Sequence, residues 1–335
     1  MQKYGGYRSG ELFTTKKRLL GSHFHFYDCA RHAIHSLCQN LKLSEICTPN
    51  FYCKPVDEYL LSQNYKITNY PINGFANYSI PQFRANALLV IVNLFGLSDL
   101  ESLIETARFE FNWPASQILV DSSLSLFDLS GIDKTVAHLF SPRKFLPITE
   151  GGIIFSPYTD LIKGEDLDEY EYEYRSQLLE PENLLSEAGT QIYQYIEHSF
   201  STGREIFSLG EAQTFKLASF DLRKYQNLFR QAHNCFSNFP GLISSLPRRP
   251  GNCVLVNKSY IKNVNIRDSS KGVFTLGDKY TIFMPKYWVD IIPTTDFEHF
   301  LFEEVAFIPV FWDISLSDVQ HVRKFLYDDC SEESD

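Results

Sequence analysis

Residues 87–93 read A-L-L-V-I-V-N, an apolar run with no polar residue to face water until its last position. A strand of this kind is buried on both faces, which places it inside a sheet covered by helices on either side. Its surroundings agree. Residues 44–49, 65–70, 117–120 and 137–140 read as further strands, and residues 32–38 and 55–61 as helices between them. Ser98 and Glu101 have capping-box spacing, and Leu100, Leu103, Ile104 and Ala107 give the helix that follows its buried stripe. Strands alternating with helices to about residue 155 predict an α/β fold with a mainly parallel sheet flanked by helices. Ligands of such sheets collect at the carboxyl ends of the strands, where Asp121, Ser141 and Lys144 fall.

The chain continues well beyond that sheet. A helical pattern over residues 209–236 leads to short β-rich segments at 253–256, 273–276, 280–284 and 307–310, and a last helix begins at Ser315. The expected division is a large domain over 1–208, with an arm over 1–22, and a smaller α+β unit over 209–335 that ends in an acidic tail. Residues 156–180 are acidic and aromatic and read as a solvated connection, and Pro181 opens a helix through about residue 200. With 335 residues, 44% of them apolar, core material suffices for two domains without disulfides. The seven cysteines are odd in number, scattered and free of any C-x-x-C pair, the pattern of reduced thiols in a cytoplasm. Lys and Arg number 31 against 41 Asp and Glu, a formal charge of −10 that argues against a general nucleic-acid binder. No run approaches the roughly 18 apolar residues of a membrane span.

Three places carry chemistry. Lys144 lies three residues after Ser141 and shortly before Glu150, Gly151 and Gly152; a lysine amine can take up an aldehyde cofactor, and a serine so placed can hold its phosphate. Asp121 closes a short apolar strand. A helix begins near Cys29, Ala30 and Arg31, where free backbone N–H groups suit a phosphate and Arg31 adds a charged fork; the competing reading is a helix capped by Asp28. His23, His25, His32 and His35 invite a metal, but His32 and His35 are three apart with no acid or thiol at a diagnostic spacing, so no metal site is expected.

These segments together resemble the DegT/DnrJ/EryC1/StrS family of pyridoxal phosphate (PLP)-dependent sugar aminotransferases. Residues 29–34 are similar to the family's phosphate turn, 48–53 to the Pro-x-Tyr-Thr-Cys turn, 90–96 to a strand ending in an aromatic-Gly pair, 119–121 to the strand that delivers the acid, and 141–152 to the lysine loop. Downstream, residues 222–228 resemble the helix that enters the small domain, and 308–319 the closing Ile-Pro segment and last helix. The resemblance implies PLP fold type I and a homodimer. It also implies an aminotransferase moving an amino group, with glutamate as donor, to a keto sugar carried on a nucleotide. Lys144 would hold the cofactor and act as general base. Asp121 would face the ring nitrogen, and Ser141 with Cys29, Ala30 and Arg31 would hold the phosphate. Phe51, Tyr52 or Cys53 would lie against the ring. Three departures stand out: Leu124 replaces a polar residue beside the cofactor ring, Val120 an acid, and Ala30 a glycine. They keep open two alternatives, a PLP-fold enzyme with altered chemistry, such as a dehydratase or a non-sugar aminotransferase, and a catalytically retired scaffold.

Overall fold

The computed structural model describes residues 2–4, 22–126, 132–146, 148, 151–158, 161–166, 207–209, 214, 217–243, 251–263, 273–276, 280–283, 291–310 and 313–327. In chain order, β1 (Gln2–Tyr4) precedes β2 (Phe24–Tyr27), α1 (Ala30–Asn40), β3 (Glu45–Pro49), α2 (Lys54–Ser62), β4 (Lys66–Tyr70), the hairpin β5 (Ile72–Gly74) and β6 (Asn77–Tyr78), and β7 (Ala87–Val92). Next come α3 (Leu100–Phe109), β8 (Ile118–Asp121), β9 (Ala137–Phe140), β10 (Gly152–Phe155), β11 (Glu165–Asp166), β12 (Phe207–Ser208) and α4 (Leu222–Cys235). The last elements are β13 (Cys253–Asn257), β14 (Val273–Leu276), β15 (Tyr280–Phe283), α5 (Asp296–His299), β16 (Val305–Pro309) and α6 (Leu316–Tyr327).

The main sheet has the order β11-β12-β2-β10-β9-β8-β7-β3-β4 among the described residues. Strands β9, β8, β7, β3 and β4 run parallel, and β10 is antiparallel to both β9 and β2. All six residues of β7 are buried, as the uninterrupted apolar run requires of a strand with helices on both faces. One core cluster gathers around β3, β7 and β8 with Ile34, Leu37, Leu103 and Trp113. A second joins Phe140 and Ile153 of the main sheet to Tyr225 and Phe229 of α4, Val254 of β13, Ile308 of β16 and Phe325 of α6. The later elements are therefore packed onto the sheet.

Because β10 reverses direction, the registers bring five segments to one edge. Gly152 at the start of β10 pairs with Tyr27 at the end of β2, and Ile153 pairs with Phe140 at the end of β9. Asp121 at the end of β8 pairs with Val92 at the end of β7 and with Leu139. The entry to α1, the lysine loop, Asp121, Asn93 and the turn after β3 thus share the carboxyl edge of the sheet.

Several local expectations shift. The cap of α3 is Asp99, whose carboxylate accepts from Ser102 N–H at 3.3 Å; the Ser98 hydroxyl is drawn instead to the end of β7, donating to Val92 C=O at 3.1 Å and accepting from Leu94 N–H at 3.0 Å. The helical pattern over 209–236 is broken at Phe220, after which Asp221 caps α4 by accepting from Lys224 N–H at 3.0 Å. An Asx cap competes with the helical backbone for that N–H, so α4 starts afresh there. Ser315 and Asp318 cap α6 reciprocally. The helix expected after Pro181, the acidic tail and most of the arm lie outside the described residues, although β1 of the arm pairs parallel with β15.

Candidate active site at the carboxyl edge of the sheet

Asp121 is buried at the mouth of β8. Its carboxylate accepts two hydrogen bonds, from Ser123 N–H at 2.8 Å and from the Tyr52 hydroxyl at 2.9 Å. Both donors are neutral. Around it, Ser122 Oγ, Ser123 Oγ and Asn93 Oδ1 are buried with no hydrogen-bond partner among the described residues. Asn93 is fixed by its own N–H to Asp121 C=O at 2.8 Å and by its amide to Ser125 Oγ at 2.9 Å. Leaving such polar atoms unsatisfied costs about 1–3 kcal/mol each, so their clustering beside one carboxylate marks a place built for a polar ligand.

Two other buried carboxylates show what completion looks like. Glu298, fully buried, accepts from Ile72 N–H at 2.9 Å, Asn50 Nδ2 at 3.2 Å, and Thr294 N–H and hydroxyl at 2.7 and 2.8 Å. That fills the roughly four acceptor positions of a carboxylate. Asp28 is completed by charge, pairing with the buried His32 ring one helical turn on. Burial pulls the His32 imidazole down, but Cys29 and Asp28 more than reverse this and raise it to about 10. Asp121 has neither solution.

The turn into α1 is also tied to the lysine loop. The N-cap is Cys29, in extended conformation and with no side-chain cap, and not Asp28 as the capping alternative supposed. The Asp28 carboxylate is paired with the His32 ring instead. Arg31 is buried beside this turn. Gly151 N–H donates to Asp28 C=O at 2.7 Å, and a Cβ on Gly152 would lie 2.3 Å from Cys29 O and 2.7 Å from Ala30 N. Only glycine lets the backbones approach so closely. Between these anchors, Ser141 is buried at the end of β9, and Lys144 is half-buried in a single 3-10 turn whose N–H reaches Ser141 C=O at 3.2 Å. Phe145, Leu146 and Ile153 seat the loop on an apolar cavity shared with Phe220.

Of the three ring-facing candidates, Phe51 is enclosed in the core, Cys53 is exposed as the N-cap of α2, and Tyr52 is the one that reaches Asp121. The Tyr52 phenol is held well above its ordinary value by burial and by the Asp121 carboxylate, so it stays a donor. Leu124 is buried one turn beyond Asp121. The premise against a metal needs correcting: His32 does have an acid and a thiol beside it, since ligand atoms of Asp28, Cys29 and His32 lie within 4.8 Å of one another. Their spacing of four and three along the helix start carried that signal. Asn93, Ser122 and Ser123 were not singled out from the sequence; their position at strand ends is the clue that could have found them.

No family model matches the chain, and no curated protein sequence does. Solved structures do. The aminotransferase PseC of Helicobacter pylori, involved in the biosynthesis of pseudoaminic acid, superposes with a TM-score of 0.55 at 16% identity, covering 94% of this chain and 92% of its own. DesI with its TDP-sugar product gives 0.55 at 13% identity over 90% of this chain and 79% of its own. The fold is that of the sugar aminotransferases. A putative sugar aminotransferase of Streptococcus pneumoniae, Spr1654, in its PMP form, agrees at 0.55 and 12% identity, covering 94% of this chain and 92% of its own. The α/β fold that the resemblance implied, PLP fold type I, is thereby established over most of the chain.

Proposed function

We propose that the chain is a PLP-dependent aminotransferase acting on a nucleotide-linked keto sugar, with glutamate as amino donor. The observation that carries this is the incomplete coordination of Asp121. A buried carboxylate with two neutral donors among the described residues, followed in the chain by the unsatisfied hydroxyls of Ser122 and Ser123, is suited to a cation that arrives with a ligand. A protonated pyridine nitrogen is such a cation. The turn elsewhere on the edge fits the same group: the start of an eleven-residue helix, whose N-cap Cys29 makes no side-chain cap, with Arg31 buried in its first turn, favours a phosphate.

Bound PLP would supply an aldehyde and an electron-accepting ring. Lys144 would hold the aldehyde carbon and move the proton at the amino-bearing carbon of the substrate, from a loop whose two ends are fixed by Ser141 and by Gly151 on Asp28. Asp121 would keep the ring nitrogen protonated. Ser141, Cys29, Ala30 and Arg31 would bind the phosphate. Tyr52 would orient Asp121, with Phe51 packed behind it and Cys53 at the rim. The nucleotide-sugar substrate is supported by the TDP-sugar product in the DesI structure, which shares this fold. The proposal includes a cytoplasmic homodimer and a division between a large domain to residue 208 and a smaller one after it. No helix among the described residues is long and apolar enough to cross a membrane.

The test is the visible spectrum of the purified chain with PLP. A band near roughly 410–430 nm, as general for lysine-bound PLP, is expected in the natural chain and absent in Lys144→Ala. No band in the natural chain contradicts the reading.

A further inference from the structure

We infer that Tyr52 is a positioning residue for the cofactor: its hydroxyl, reaching from the turn after β3 to the end of β8, holds the Asp121 carboxylate in the orientation that meets the ring nitrogen. The inference rests on the cofactor reading above and names the group on which that reading depends.

The geometry leaves Tyr52 little other purpose. Its hydroxyl ends 2.9 Å from Asp121 Oδ2, while Ser123 N–H takes Oδ1 at 2.8 Å, so the two oxygens are fixed from opposite elements and the carboxylate plane cannot turn. The backbone beneath it is equally fixed, by Tyr52 N–H to Asn50 C=O at 2.9 Å and Asn50 N–H to Tyr70 C=O at 2.8 Å. A phenol is the right donor for the task. It stabilises the charged carboxylate without bringing a charge of its own, whereas a lysine or arginine would complete Asp121 as His32 completes Asp28, and the ring nitrogen would then face a spent partner. The remaining lone pairs of Asp121 stay available to an incoming N–H. Leu124, one turn on, offers no polar atom, so the orienting contact comes from sequence position 52 instead.

The experiment uses the full chain loaded with PLP carrying ¹⁵N at the ring nitrogen, and reads that nitrogen's chemical shift, the PLP dissociation constant and the melting temperature of the cofactor-free protein. Tyr52→Phe keeps the ring that fills the core and removes the donor. The ring nitrogen should move toward its unprotonated shift, and PLP should bind about tenfold more weakly, on the scale of a hydrogen bond to a charged group. In an Asp121→Asn background the same change should have no further effect on either readout. Replacing Tyr52 by 3-fluorotyrosine, a stronger donor of nearly the same shape, should move the shift the other way, which serves as the test if Tyr52→Phe fails to fold. An unchanged nitrogen shift in Tyr52→Phe or in the fluorotyrosine variant overturns the inference while leaving the cofactor reading standing. So does an effect of Tyr52→Phe that adds fully to Asp121→Asn, because Tyr52 would then act elsewhere. Failure of the natural chain to take up PLP overturns both.

Discussion

Two buried aspartates stand at the same edge of the sheet, and their surroundings differ in kind. Asp28 is closed, its charge matched by His32 within the same helix start. Asp121 is open, held by neutral donors that come from two separate elements. The difference teaches which of them can serve chemistry. In a buried ion pair each charge is matched by its partner, and a third charge placed on it gains little; a carboxylate with neutral donors keeps its field for a ligand. The α1 side is thus the rigid, prepaired half of the site, and the β8 side the half that responds to what binds.

Exchanging each aspartate for asparagine should separate the two halves most sharply. Asp121→Asn should keep the fold and still take up cofactor, at least about tenfold more weakly, and should slow proton removal from the amino-bearing carbon of glutamate by at least about a hundredfold, on the scale of general acid–base effects. Asp28→Asn should do the reverse. It leaves the buried His32 without its carboxylate partner and should cost about 3 kcal/mol or more of stability in urea unfolding, with His32 keeping the raising effect of Cys29 but losing that of Asp28. Equal effects of the two changes on stability would erase the distinction.

Gly152→Ala probes the seam between the halves. Its Cβ would meet backbone atoms of Cys29 and Ala30 rather than a yielding side chain, so the lysine loop or the helix start must shift, at about 1–3 kcal/mol for overpacking. PLP affinity should fall along with the melting temperature. A neutral Gly152→Ala would show that the loop is not docked on α1.

The pH dependence of stability should carry the mark of the closed half. His32 has its folded value raised to about 10, so its contribution is full below about pH 6.5 and is lost as pH rises toward 10. His35, lowered to about 4 by burial and by the His32 charge, and His233, lowered to about 4 by burial against the hydrogen bond to Gly251 C=O, act with the opposite sign. Their folded forms hold fewer protons than the unfolded chain, and stability falls as pH drops from about 6.5 to 4. Thermal melts across pH 4 to 10 should therefore peak between. In Asp28→Asn the alkaline loss should shrink and begin at lower pH, because Cys29 still raises His32 while the Asp28 contribution is gone. The smallest effect is expected at Leu124. Leu124→Gln adds an amide one turn from Asp121, and conversion of bound PLP to its amine form by glutamate should be preserved or raised; loss of PLP would place Leu124 in the core's packing alone.

Much of the scaffold was legible because it is written in local pattern. The uninterrupted run of β7 and the period-3.6 stripe of α3 each state their burial within a few residues, and the strand ends then locate Asp121 and Lys144. What stayed hidden are choices between competing partners. Asp28 could cap α1 or pair with His32, and sequence spacing permits both; burial of the pair decides it. Ser98 and Asp99 both precede α3, and only the path out of β7 gives the cap to Asp99. The contact from Tyr52 to Asp121 spans 69 positions and has no sequence signature at all, because it depends on β3 and β8 flanking β7 in the sheet.

The central claim is that the open aspartate and the docked lysine loop form one cofactor site. Its most direct measurement is borohydride reduction of the PLP-treated chain followed by peptide mass mapping. The account predicts a single reduced pyridoxyl adduct on Lys144, absent in Lys144→Ala, with the fold of that variant unchanged by circular dichroism. An adduct on other lysines, or the same yield of adduct in Lys144→Ala, would contradict it.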